Sequence, residues 1–234
     1  MKVSFFLSFR DALKPDARVS ESETSRFIDI VGTTPRLERA LVFTPEYATD
    51  PYLNDGPPPR LAAQLYFAEI ADLEAVLARD GHLQVLAAPG MFPSLAGAVA
   101  GQQAMLARAF PVPDPAFRTA PGHPHCSYLV SYAGRADDLN AWLDHYVTGH
   151  PPIMARFPGI REIEVCTRID WRGFLPWPRV DHMLRNKVVF DSPAALGAAL
   201  ASPVRHEMRA DYKAFPPFTG PVSHYPMATL TVFP

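Results

Sequence analysis

Apolar residues at Leu139, Trp142, Leu143, Tyr146 and Val147 recur at i, i+3, i+4, i+7 and i+8, the stripe of a helix that buries one face. Gly149 stands at a C′ position and Pro151-Pro152 follows, so the helix is expected to stop there, before a short second helical piece. A Pro158-Gly159 turn then leads into a strand over Ile160–Ile169. Short runs of aromatic and β-branched residues predict further strands over Val3–Arg10, Leu37–Thr44, Leu61–Phe67, Ala104–Val112, Cys126–Ala133, Leu184–Phe190 and Met227–Phe233. Ser192-Pro193 supplies an N-cap and a first helical residue for a helix through Leu196 and Leu200.

These elements repeat. A shift of 123 residues places Ser4 on Ser127, Pro35 on Pro158, Val42 on Val165, Phe67 on Phe190, Leu73 on Leu196, Gly97 on Gly220 and Phe110-Pro111 on Phe233-Pro234. From Leu61 to Pro111 the register needs no gap and gives 14 identities in 51 positions, where composition alone gives about four. The chain therefore reads as β-α-β-β-α-β twice, the split βαβ or ferredoxin-like unit. The fold class is α+β: two tandem ferredoxin-like repeats, each an antiparallel sheet with helices on one face. The other face of each sheet must be covered, and two copies can cover each other as a fused, intramolecular α/β barrel. The boundaries are 1–113 for a degenerate first repeat, 114–124 for a Pro-rich linker and 125–234 for the second repeat. Exposed sheet edges leave monomer and homodimer of the fused barrel both open.

Composition narrows the function classes. With 48% hydrophobic and 20% charged residues and a net charge of -2, the chain offers no footprint for nucleic acid or an anionic membrane. The apolar run at Met1–Phe9 is too short for a signal or membrane segment. Cys126 and Cys166 form no CxxC pair or disulfide framework and read as buried thiols of a cytoplasmic protein. Glycine-rich phosphate loops, nucleophile elbows and HExxH motifs are missing from the sequence, so the reading includes no cofactor and no metal.

The second repeat resembles the EthD-like branch of the dimeric α/β-barrel superfamily. The resemblance rests on a helix ending in His150, then Pro151 to Pro158-Gly159, the strand Ile160–Thr167, and the later Phe190-Asp191-Ser192-Pro193 with Ser202-Pro203. It covers about Ser127–Phe233; the first copy joins it only through the internal repeat. It implies a barrel with its pocket between the concave sheet and its own helices. Members of the superfamily include cyclases, dehydratases, lactone isomerases, cofactor-free monooxygenases and haem enzymes. The first copy departs from the pattern, with Phe27 where the second has His150, so one pocket at most is expected to be competent.

Seven of the eight histidines and all three tryptophans lie at or beyond His123, which points to the same half. His150 is the strongest candidate for general acid–base work, and a helix-capping histidine is the competing reading. Tyr128 and Tyr132 share one strand face and could polarise a substrate oxygen, as could Arg168; ordinary half-buried aromatics is the alternative for the tyrosines. His145 is at i, i+5 from His150, off its helix face, and a two-histidine metal site does not follow. His145, Tyr146, Trp171, Trp177, His182, His224 and Tyr225 are the candidate substrate contacts, the tryptophan-bearing connection serving as a lid or as an interface patch. The expected partner is a small hydrophobic molecule, and the expected chemistry is cofactor-independent isomerisation, cyclisation or dehydration. A non-catalytic small-ligand carrier or interaction protein of the same fold, or a haem- or oxygen-dependent oxidoreductase with His150 or His182 as axial ligand, are the alternatives.

Overall fold

The computed structural model describes residues 1–120 and 122–234; Pro121, in the expected linker, lies outside the described residues. The first half runs β1 (Lys2–Arg10), α1 (Glu21–Gly32), β2 (Arg39–Pro45), β3 (Leu61–Phe67), α2 (Ile70–Val76), two 3-10 turns (His82–Ala87 and Pro93–Leu95) and β4 (Val99–Phe110). The second runs β5 (His125–Tyr132), β6 (Arg135–Ala136), α3 (Leu139–Met154), β7 (Ile160–Arg168), β8 (Leu184–Phe190), α4 (Pro193–Leu200), α5 (Pro203–Lys213), β9 (Phe218–Thr219) and β10 (Val222–Val232). Residue alternation sorts each strand. In β1 the odd positions Val3, Phe5, Leu7 and Phe9 face the helices, while Phe6 faces the barrel interior.

Eight antiparallel strands close in the order β1-β3-β2-β10-β5-β8-β7-β4, so β2 pairs with β10 and β4 with β7 across the two halves. Closure leaves no edge among these eight strands, contrary to the edges expected from two open sheets. The barrel interior is partly polar. Gln64 Nε2 and the Tyr66 hydroxyl donate to Glu164 Oε1 at 2.7 and 2.8 Å, and Lys187 Nζ lies 3.0 Å from Glu162. The Glu162, Glu164 and Lys187 charges are thus paired and hydrogen-bonded, as a dry interior requires.

Three expectations about local structure need correction. First, α3 does not stop at Gly149: it continues through Pro151 and Pro152 to Met154. His150, Pro151 and Met154 are buried on its inner face, and packing of that face outweighs the hydrogen bonds the prolines remove. Second, the fourth strand of each half begins five residues earlier than its apolar run, at Val99 and Val222. Gln102 is one reason, since its side chain donates to the carbonyls of Leu175 and Trp177. Third, residues 203–213 form a separate helix, α5, which the apolar pattern did not mark.

The connection 169–183 is the largest correction. Because β4 pairs with β7, the loop after β7 emerges beside the first half and enters its helical core. Trp171 packs edge-on against Phe5 (5.6 Å between ring centres), Trp177 against Phe9 (5.1 Å), and Leu175 is buried with them. These tryptophans do not lid the pocket near His150. The equivalent loop of the first half, residues 46–60, crosses to the second half in the same way, but it has Ala48 and Asn54 where the other has Trp171 and Trp177. One loop plugs and the other leaves space.

Leu175→Ala should therefore destabilise the whole barrel, by about 2–5 kcal/mol for a buried leucine, although it lies outside the sheet. Urea unfolding should show the loss as a lower midpoint in a single transition; an unchanged midpoint would mean the loop is not anchored.

Candidate active site

The space left under loop 46–60 is a cavity of about 170 Å³ between the second sheet and its helices. Its apolar wall comes from Val130, Met154, Val188, Phe190, Leu196 and Met208. Leu53, from the first half, closes one side. The polar side chains that reach it are Tyr128, Tyr132, His150, Asn186, Arg205, Arg209, Tyr212 and His224.

His150 sits on the inner face of α3, buried, and its Nδ1 lies 2.5 Å from Asp211 Oδ2 on α5. A carboxylate can only accept, so Nδ1 carries the proton and Nε2 keeps its lone pair. Nε2 has no protein partner among the described residues. Burial pulls the His150 pKa below the ordinary histidine value, outweighing the opposing pull of Asp211. The hydrogen bond from His150 in turn holds the Asp211 carboxyl below the usual carboxylate range. The result is a neutral imidazole with a fixed tautomer and a free basic nitrogen at an apolar cavity. His145 also reaches Asp211, its Nε2 lying 3.3 Å from Oδ1. The i, i+5 spacing does not separate the two rings as expected, because α5 crosses α3 and offers each one a different oxygen.

The cavity has a second polar anchor that joins the halves. Asp50, from loop 46–60, accepts from Arg205 Nε and Nη2 (2.8 and 3.0 Å) and from the Tyr128 hydroxyl (2.9 Å). Both Asp50 and Arg205 side chains are under one-tenth exposed, so this is a desolvated, bidentate pair and not a surface contact. The Tyr128 hydroxyl, committed to Asp50, has its pKa raised by burial and by that carboxylate. Tyr132 is buried against Trp142 and Tyr146, and its pKa is raised by burial. Tyr146 stacks on Trp142 and accepts from Asn186 Nδ2, with its ring 4.7 Å from that of His150; it supports the base from behind.

The remaining sequence candidates lie elsewhere. Arg168 faces Asp181 at the surface, 3.0 Å away, and takes no part in the cavity. Trp171 and Trp177 belong to the first half's core. His182 Nδ1 accepts from Arg185 (3.1 Å); burial and that guanidinium pull its pKa down to about 3. Tyr225 lies under the Arg10 guanidinium and borders an outer hollow, not the cavity itself. His224 borders both. Asp50, Asp55, Arg205 and Asp211 were missing from the sequence reading. For Arg205 and Asp211, Ser202-Pro203 was the available signal: it is the same cap pair that marks α4.

The 123-residue shift shows what the other half has instead. Phe27 replaces His150, Ala88 replaces Asp211, Phe5 and Phe9 replace Tyr128 and Tyr132, and Ala63 replaces Asn186. A more open surface hollow of the first half, between Phe9, Phe92 and Trp177, is lined by no acid or base.

Among the described residues, no three His, Cys, Asp or Glu side chains converge to hold a metal ion. A haem does not fit: His150 Nε2 could ligate, but about 170 Å³ falls short even of the roughly 300–1,000 Å³ typical of drug-sized sites, and a tetrapyrrole is larger still. Among the described residues, no helix is long and apolar enough to cross a membrane.

Two outcomes follow. In an NMR titration the His150 ring should remain neutral until the pH is below about 6.5. Its native pKa is lower than its unfolded one, so in that window only the unfolded chain binds the proton, and stability should fall on acidification. His182 contributes with the same sign. Separately, Asp50→Ala should cost about 3–5 kcal/mol in chemical unfolding, since it strands the buried Arg205 guanidinium.

No family model matches the sequence, and a search of curated proteins finds no match. Solved structures with a similar fold include an anthrone oxidase-like protein (TM-score 0.62, 14% identity, 98% of this chain and 92% of that one). A candidate monooxygenase from Lactobacillus acidophilus is another (0.54, 9%, 100% and 97%). A chlorite dismutase variant from Candidatus Nitrospira defluvii is a third (0.50, 10%, 97% and 91%). At such identities the likeness speaks to fold alone, and it agrees with the strand order: this chain is an α+β fold whose eight antiparallel strands close into one barrel within a single polypeptide.

Proposed function

We propose that the protein is an enzyme that moves a proton on a small aromatic molecule, with His150 Nε2 as general base and Asp211 as the group that orients it. The observation that carries this reading is the buried His150–Asp211 pair, which leaves one nitrogen facing an apolar cavity. Isomerisation, cyclisation or dehydration all begin with such a transfer, and none of them requires a bound cofactor. The cavity sets the size: an apolar protein cavity of on the order of 150 Å³ takes a benzene ring, so about 170 Å³ suits one ring with a small substituent. Tyr128, clamped by Asp50, shapes the cavity wall and is not free to donate to a substrate. Proteins of similar fold include an anthrone oxidase-like protein and a chlorite dismutase, both named for chemistry on small molecules, which supports this reading. We further read the two halves as copies of one EthD-like unit, of which only residues 125–234 retain the chemistry.

The test is deuterium wash-in from D₂O by single-ring aryl ketones and phenols, followed by NMR. His150→Gln should lower the rate about 10²–10⁴-fold, the usual share of a general base. Asp211→Asn should lower kcat strongly while leaving KM nearly unchanged, because it disturbs the tautomer and not the cavity. Equal exchange by wild type and His150→Gln would remove the assignment.

A further inference from the structure

A second histidine–carboxylate pair borders the same cavity. His224, on β10, has Nδ1 2.8 Å from Asp55 Oδ2, so it donates there and turns Nε2 into the free nitrogen. The hydrogen bond from His224 is the main cause of the lowered Asp55 pKa, so the carboxylate is ionised at neutral pH. Asp55 belongs to the first half and His224 to the second, and the pair exists only because loop 46–60 crosses between them. The 123-residue shift puts Gly101 in place of His224 and Pro178 in place of Asp55. The half whose core is plugged by tryptophans therefore has neither histidine–carboxylate pair, and the half with the cavity has both.

We propose that His224 is the proton donor of this cavity, delivering a proton to one substrate atom while His150 removes one from another. The inference rests on the reading of His150 as the base. Position divides the labour. His150 is buried, whereas His224 also borders an outer hollow of about 290 Å³ lined by Asp16, Arg18 and Glu46. The other groups around His224 are the Tyr128 ring (centres 5.7 Å apart), the Asp50–Arg205 pair beyond it, and Tyr225 with Arg10. An imidazolium there has a carboxylate behind Nδ1 and directs its Nε2 proton forward. The balance is simple: a substrate bond to hydrogen breaks at His150, a new one forms from His224, and solvent restores both rings. Nothing is oxidised or reduced.

A generic proton-transfer substrate tests this without knowledge of the natural one. In 1,2-benzisoxazoles, a base removes the ring C–H proton, the N–O bond breaks and a phenoxide oxygen leaves; the 5-nitro compound releases an anion too weakly basic to need a proton, whereas the unsubstituted compound releases one that takes a proton as it departs, and both products are followed by absorbance. For the wild type, kcat should rise with pH as His150 loses its proton. His224→Gln should keep that rise and lower kcat for the unsubstituted compound on the order of 10²-fold while leaving turnover of the 5-nitro compound nearly unchanged. Asp55→Asn, which retains the ring but removes the group that orients it, should slow the unsubstituted compound selectively and by less. A merely structural histidine would slow both compounds alike. If His224→Gln superimposes on wild type while His150→Gln is inactive, the donor assignment is overturned and the base survives. If His150→Gln also retains full activity, or the wild type does not exceed free imidazole, the reading of His150 falls and the inference falls with it.

Discussion

Everything at the cavity depends on the way the barrel closes. The β2–β10 and β4–β7 pairings join the two sheets, and each pairing carries one long connection over to the opposite helical layer. Neither half finishes its own core. The first is completed by Trp171, Leu175 and Trp177, the second by Leu53 and by the Asp50 carboxylate locked to Arg205. A desolvated ion pair is a costly way to fasten a loop, and it is tolerated only because Asp50 has a hydrogen-bond partner on both oxygens.

The same scaffold then gives two unlike interiors. Where Phe27 packs on Phe92, the second half keeps the edge-on ring contact as His150 on Phe215 and adds a charge-assisted hydrogen bond to Asp211, at the position of Ala88. Burial works in favour of chemistry at His150, since it suppresses the protonated form and leaves a base available at neutral pH. Tyr146 and Phe215 pack on that ring, with Trp142 behind both, and hold its orientation. A base fixed in both tautomer and direction needs little reorganisation when a proton arrives.

Most of the strands, and the buried helix face that carries His150, were legible in the sequence, because each has a local signal: a run of aromatic and β-branched residues, or apolar positions at helical spacing. The strand β8 falls where its apolar run places it, from Leu184 to Phe190. What the sequence hid were consequences of closure. Nothing near Trp171 says that it packs on Phe5, more than 160 positions away, and nothing in the Pro-rich stretch around Asp55 says that it meets His224. Arg168 looked suitable by type, yet its strand position points it toward Asp181. The Pro151-Pro152 rule failed for a related reason: a helix packed against a full sheet keeps its course through residues that would end it in isolation.

Joining the two halves with one chain also changes what a mutation can do. In a barrel made from two identical subunits, any substitution in the crossing loop appears twice, so a loop that opens one chamber opens both and weakens both. Here Asn54 and Trp177 occupy matching places in the two loops and are inherited independently. One chamber can be kept shut as ballast for stability while the other is free to drift toward a new ligand.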